Sequence, residues 1–280
     1  MVEFELELQS TRLAPFQRRL IPLKIVQHGK LPSSLETLLL IFRLESGAYT
    51  SGQVKLKHKN NWSLDPNPNL ILRQTHRFPA LADSILLPPI IGVDHRGTGR
   101  ALLALHGAGV QVDSTSWTSA LKRRERNWVV FARGLTPWGY DWHGPSAFDA
   151  LAALNTLRGR ELGVAPTAVV IGHSNGGQGA LHLGTHFPDQ FGGTIPVAAY
   201  LTSATYVPTV LSHGAHFTEP TLQGILGTSL AGGDNDLFLG NLASRRTRIF
   251  HGGDDENVPV WNSRKAFDIL RTYDYSANAS

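Results

Sequence analysis

Cysteine is absent from the 280-residue sequence. That removes disulfides, thiolate nucleophiles and cysteine-held zinc together. Long apolar runs are missing as well. Leu38-Leu39-Leu40-Ile41-Phe42 is far shorter than the roughly 20 residues of a membrane-spanning helix, so no membrane partner is expected. The opening residues, Met1-Val2-Glu3-Phe4-Glu5-Leu6, lack the basic segment and apolar run of a secretory signal. Together with the missing cysteines, this favours a cytoplasmic chain. A strong charge of one sign is also lacking: the formal net charge is +4, with 17% charged residues. The clusters Lys122-Arg123-Arg124-Glu125-Arg126 and Arg245-Arg246-Thr247-Arg248 are short and carry no interleaved aromatics. They read as solvated ends of elements, not as a nucleic-acid surface. No histidine and carboxylate set has ligand spacing, so neither a metal nor a cofactor is expected.

What is present is a composition suited to a substantial core, with 41% hydrophobic residues. The first part of the chain differs from the rest. Val2, Phe4, Leu6 and Leu8 alternate with Glu3, Glu5, Glu7 and Gln9, which predicts a half-exposed strand. Leu35 to Phe42 and Val54 to Lys57 also read as extended, and Pro66, Pro68, Pro79, Pro88 and Pro89 exclude a long helix there. Residues 1–97 are therefore expected to form a β-rich N-terminal extension.

From about Gly97 strands and helices alternate. Ala101 to Leu105, Trp128 to Ala132, Ala168 to Ile171, Thr194 to Ala198 and Thr247 to Phe250 read as strands. Ser114 or Ser116 is expected to cap a helix carrying Trp117, and Pro145 and Pro259 to open two more. Residues 98–280 are expected to form an α/β domain, a mostly parallel sheet covered by helices on both faces.

One turn carries the chemistry. Gly172-His173-Ser174-Asn175-Gly176-Gly177 follows the apolar strand and opens the helix bearing Ala180, Leu181, Leu183 and Phe187. A serine on such a turn is a nucleophile elbow: its strained backbone lifts the hydroxyl off the sheet, and the flanking glycines leave it room. Ser174 is the expected nucleophile. The Asn175 N–H, at the start of the helix, is the natural first oxyanion donor. The second is expected from the loop His106-Gly107-Ala108-Gly109, with Ala108 preferred and Gly109 next. The acid belongs in the loop after Ile249-Phe250-His251-Gly252, and spacing selects Asp255 over Asp254; His251 reads as structural. Trp138 and Trp142, after the Trp128 strand, are expected to line an acyl or side-chain pocket. The base has no candidate at its usual place. In this fold the histidine follows the acid, whereas the last histidine here is His251. His106 and His173 hold positions where structural roles dominate.

On these residues the stretch from about Leu105 to Arg271 resembles the fungal members of the prolyl oligopeptidase family of serine peptidases. The matching pieces are Leu105-His106-Gly107-Ala108-Gly109-Val110, Thr136-Pro137-Trp138, Asp141-Trp142-His143, Gly172-His173-Ser174-Asn175-Gly176-Gly177-Gln178-Gly179, and His251-Gly252-Gly253-Asp254-Asp255-Glu256-Asn257-Val258-Pro259. The resemblance implies an α/β-hydrolase catalytic domain acting on peptide or related acyl bonds, with the nucleophile at Ser174 and the acid at Asp255. Family members carry their histidine beyond the point where this sequence stops, so the expectation is a domain whose C-terminal part is missing. The expected partner is a peptide or acyl-ester substrate. An esterase or lipase using the same residues is the alternative within enzymes, and a catalytically inactive binding protein is the alternative outside them.

Overall fold

The computed structural model describes residues 3–7, 24–28, 34–43, 47–55, 71–77, 81–90, 99–136, 142–160, 164–206 and 214–273. The chain divides into two units, Met1–Asn60 and Asn61–Ser280. In the first, strand β1 (Glu3–Glu7) pairs antiparallel with β2 (Lys24–His28), and β3 (Thr37–Arg43) pairs antiparallel with β4 (Tyr49–Lys55). The alternating pattern of the first residues is therefore a strand, as its period of two dictates.

The second unit is built on seven strands. They are β5 (Leu72–Arg77), β6 (Leu81–Leu87), β7 (Ala101–Leu105), β8 (Trp128–Phe131), β9 (Ala168–His173), β10 (Phe191–Val197) and β11 (Arg246–Thr247), in the order β11-β10-β9-β7-β8-β6-β5. Strands β7 to β11 run parallel to one another, while β5 and β6 form an antiparallel hairpin whose β6 pairs antiparallel with β8. That hairpin corrects the division expected at residues 97 and 98, because residues 72–87 belong to the same sheet as the parallel strands. The prolines around it rule out a helix but leave the pairing of β6 with β8, Ile85 with Phe131 to Leu87 with Val129, unmarked in the sequence.

Among the described residues six α-helices accompany the sheet: α1 (Thr115–Thr118), α2 (Pro145–Arg160), α3 (Asn175–His186), α4 (Ser203–Tyr206), α5 (Pro220–Leu230) and α6 (Trp261–Tyr273). Pro145 does open a helix, since its missing N–H is one the first turn does not use. The helix expected near Ser114 is a single turn, and Ser114 makes no side-chain cap bond there. Side chains from both faces of the parallel strands make the core. Leu103, Leu105, Trp128, Val130 and Leu154 are buried on one face, and Ala104, Val129 and Phe131 on the other. Each large apolar side chain so buried contributes about 1.5–3 kcal/mol.

On helix α3, the His182 ring lies between those of His143 and His186, tilted to each, with centroids 4.1 Å apart at each step. Burial pushes His182 down from 6.5 to about 2, and His143 and His186 add to the shift. An unfolded chain therefore takes up a proton at this residue that the folded chain refuses. The stability tied to a neutral His182 is whole above pH 6.5 and drains away as the pH falls from there towards 2. His182→Gln is expected to flatten this acid slope by up to about 1.4 kcal/mol per pH unit. Urea unfolding of both proteins across that window checks it.

Candidate active site

The site lies where the parallel strands end. Register sets Leu105 beside Gly172, His173 beside Val197, and Val197 beside Phe250. The loops that leave β7, β9, β10 and β11 therefore emerge on one edge of the sheet, the usual ligand side of an open α/β sheet. Ser174 sits between β9 and α3. Its N–H donates to the Val197 carbonyl (2.8 Å), and its own carbonyl accepts from Gly177 N and Gln178 N (2.8 and 3.0 Å). The residue is thus pinned from both sides.

Pinning holds it in a costly conformation. Ser174 has φ 56° and ψ −118°, a region rarely used by residues with a side chain. Among the described residues the other non-glycine positive φ values are Trp142 (58°) and Ala198 (48°). Ala198 directly follows β10, beside the serine. Strain of this kind gathers at functional sites.

Asn175, expected as an oxyanion donor, takes the first helical position, where backbone N–H groups point out of the helix end. Its side chain donates to the Tyr200 hydroxyl (3.1 Å), and both residues are buried. Ala108 and Gly109 are exposed in the turn that follows Gly107, and Gly109 is left-handed at φ 75°. Within this loop Gly107, not singled out from the sequence, lies near the serine: a Cβ there would stand 3.5 Å from Ser174 Cβ and 3.2 Å from the His173 carbonyl oxygen. The His-Gly-Ala-Gly run was the available signal, because close backbone approach needs glycine.

Asp255 lies in the loop before α6. One of its oxygens accepts from the backbone N–H groups of Asn257 and Val258, each at 2.9 Å. The other is 3.5 Å from His251 Nε2. The Val258 N–H holds the carboxyl below its usual range, and the Asn257 N–H, His251 and His173 act in the same direction. These hydrogen bonds and neighbouring rings favour the ionised carboxylate. His251 is anchored by Val258 O (2.7 Å) and by Ser263 Oγ on α6 (2.6 Å), so it ties the acid loop to the helix. The Ser263 contact spans 12 residues and had no sequence signal.

His106 is buried, with Nδ1 3.0 Å from the Gly107 carbonyl and Nε2 accepting from Gly134 N (3.2 Å). Burial lowers its pKa against the effect of the Gly107 bond, and Arg133 lowers it further. Both ring nitrogens are committed, which is a structural role. His173 is exposed, with its ring beside the position a Gly107 side chain would take. Trp142, expected to line a substrate pocket, is instead a core residue with no exposed surface. Its indole N–H donates to the His106 carbonyl (3.2 Å), and its ring meets His106 edge-on at 4.8 Å. A large apolar ring with one donor is best satisfied under a loop where that donor finds a carbonyl. Trp138 lies outside the described residues.

Comparison with solved structures gives the same architecture. The chain superposes on the uncomplexed acylaminoacyl peptidase of Pyrococcus horikoshii with a TM-score of 0.54 at 13% identity, over 72% of this chain and 35% of that one. It superposes on dipeptidyl peptidase 4 of Porphyromonas gingivalis with a TM-score of 0.55 at 16% identity, over 74% and 31%. The chain has the α/β-hydrolase fold. No family model matches the chain. A curated relative, an uncharacterized secreted protein of Arthroderma benhamiae, is 30% identical over 188 residues, which is 61% of this chain and 19% of that protein. The match thus spans about a fifth of that relative's length. It also overturns the cytoplasmic expectation, since the relative is secreted. Missing cysteines forbid disulfides but are compatible with an oxidising compartment, so they carried no real information on location.

Proposed function

We propose that this α/β-hydrolase-fold chain carries a serine-hydrolase site of the prolyl oligopeptidase type, with Ser174 as nucleophile and Asp255 as the orienting acid. The observation that carries the reading is the strained, doubly pinned Ser174 with Gly107 packed against it. In this reading Ser174 Oγ attacks the carbonyl of a peptide or related acyl bond, forming an acyl-enzyme. The Asn175 N–H and a backbone N–H of the 107–109 loop, Ala108 or Gly109, bind the oxyanion. The secreted relative supports an extracellular setting. No histidine among the described residues has a hydrogen bond to Ser174, so the reading assigns this chain slow chemistry. In a well-studied triad, loss of the histidine costs about a millionfold in turnover.

Exhaustive exposure to a fluorophosphonate probe tests the assignment. Slow labelling that vanishes in Ser174→Ala is expected. Equal labelling of both proteins would contradict it. Peptide and ester substrates, compared side by side, then separate a peptidase from an esterase.

A further inference from the structure

The loop that carries Asp255 has little packing of its own. Gly252, Gly253, Asp254, Glu256 and Asn257 are exposed, and a Cβ on either glycine would meet nothing within 4 Å among the described residues. What holds the loop lies at its two ends. His251 opens it and has only 3% of its side chain exposed. Its Nε2 is 2.7 Å from the Val258 carbonyl, which can only accept, so Nε2 carries the proton of the neutral ring. Nδ1 is then an acceptor, and the Ser263 hydroxyl 2.6 Å away donates to it. Ser263 is buried in the first turn of α6. Beside it, Asn262 donates to the Pro259 carbonyl and accepts from Leu201 N, each at 3.1 Å, which fixes the start of α6 against the acid loop and the loop after β10. The Val258 peptide is thus gripped twice: its carbonyl accepts from His251, and its N–H donates to Asp255.

We infer that Ser263 and His251 are positioning residues for Asp255: the Ser263 hydroxyl selects the Nε2–H tautomer of His251, and that tautomer clamps the Val258 peptide whose N–H holds the carboxylate. The inference rests on the reading of Asp255 as the orienting acid. The opposite tautomer, with its proton on Nδ1, would set the Nε2 lone pair against the Val258 carbonyl and take away the acceptor of the Ser263 proton. Buried polar groups left so mismatched are strongly unfavourable. Two partners therefore fix one tautomer, and with it the direction in which the ring donates. His251 Nε2 also stands 3.5 Å from the second Asp255 oxygen, too long for a strong hydrogen bond but close enough for attraction. Helix α6 reaches the acid through Ser263, without touching it.

Long-range proton–nitrogen correlation NMR on the full chain reads the tautomer directly. At pH 9, above the ordinary histidine range, His251 is expected wholly as Nε2–H. In Ser263→Ala a mixture of tautomers is expected. The Asp255 titration, followed through the Asn257 and Val258 amide shifts, is expected to move up towards the ordinary carboxylate range in that variant, because the Val258 N–H and His251, with Asn257 and His173, hold it low. Ser263→Thr keeps the hydroxyl and is expected to restore both readings. Ser263→Cys, a weaker donor of similar size, takes the place of Ala should that variant fail to fold. A ring that merely fills space would give one tautomer and one titration in every variant. That result, or an Nδ1–H ring in the unmutated chain, overturns the inference. Neither reading depends on Ser174, so the fluorophosphonate experiment tests the site and this one tests how its acid is placed.

Discussion

Gly176→Ala is expected to destabilise the second unit severely, and Gly172→Ala to do the same. A Cβ at Gly176 would fall inside the van der Waals envelope of the Leu105 carbonyl oxygen and 2.6 Å from His106 O. One at Gly172 would strike the Gly176 carbonyl and stand 2.9 Å from Gly177 N. Every one of these obstacles is backbone, so no side-chain rotation relieves the clash. Relief requires α3 to lift away from β9 and β7, the two strands at the centre of the sheet. The cost is expected to exceed about 4 kcal/mol, in the range reserved for severe core disruption. Such a loss consumes much of the 5–15 kcal/mol by which a typical domain is stable. Urea unfolding followed by tryptophan fluorescence measures it. A variant that unfolds at the wild-type midpoint would contradict a backbone crossing this close.

Trp142→Ala is the second large effect, with an expected loss of about 3–5 kcal/mol. The ring is fully buried in the main core cluster, and its N–H bond to His106 O is lost with it. A Cβ on Gly179 would come within 2.5 Å of the Trp142 side chain, so that glycine and the tryptophan fit each other across the second turn of α3. Removing the ring leaves a cavity against a helix that cannot move inward. His106 then loses the edge-on contact that fixes the start of the 106–109 loop. Denaturation midpoints of wild type, Trp142→Ala and Trp142→Phe check this, with Phe expected between the other two. An exposed pocket tryptophan would instead give variants of nearly wild-type stability.

The sequence made the central strands and the serine turn legible because each is a local pattern. Ala101–Leu105 and Ala168–His173 are apolar runs ended by glycine-rich turns, and a buried parallel strand leaves little choice of residue. The turn at Asp255 was legible in the same way, since its carboxylate accepts from the backbone two and three residues ahead. Contacts between distant segments were not legible. The β5–β6 hairpin joins the sheet through β8, and the fate of Trp142 depends on the carbonyl of His106, 36 residues before it. The stack of His143, His182 and His186 has a helical spacing for two members only, and the third arrives from another element. Location was misread because the lack of cysteine is a correlate of compartment, not a physical requirement of it.

The account rests on Ser174 being an accessible nucleophile position at the positive end of a helix. Because the chain has no cysteine, Ser174→Cys places a single thiol there, and a thiol reports on the position whether or not a base is at hand. The measurement is the rate of iodoacetamide alkylation of that variant against pH. The N-terminus of α3 stabilises a thiolate, so an apparent pKa clearly below the ~8.5 of a free cysteine is predicted, with faster alkylation than free cysteine at neutral pH. A thiol that titrates at or above the free value, or that reacts only after unfolding, would contradict the assignment of Ser174.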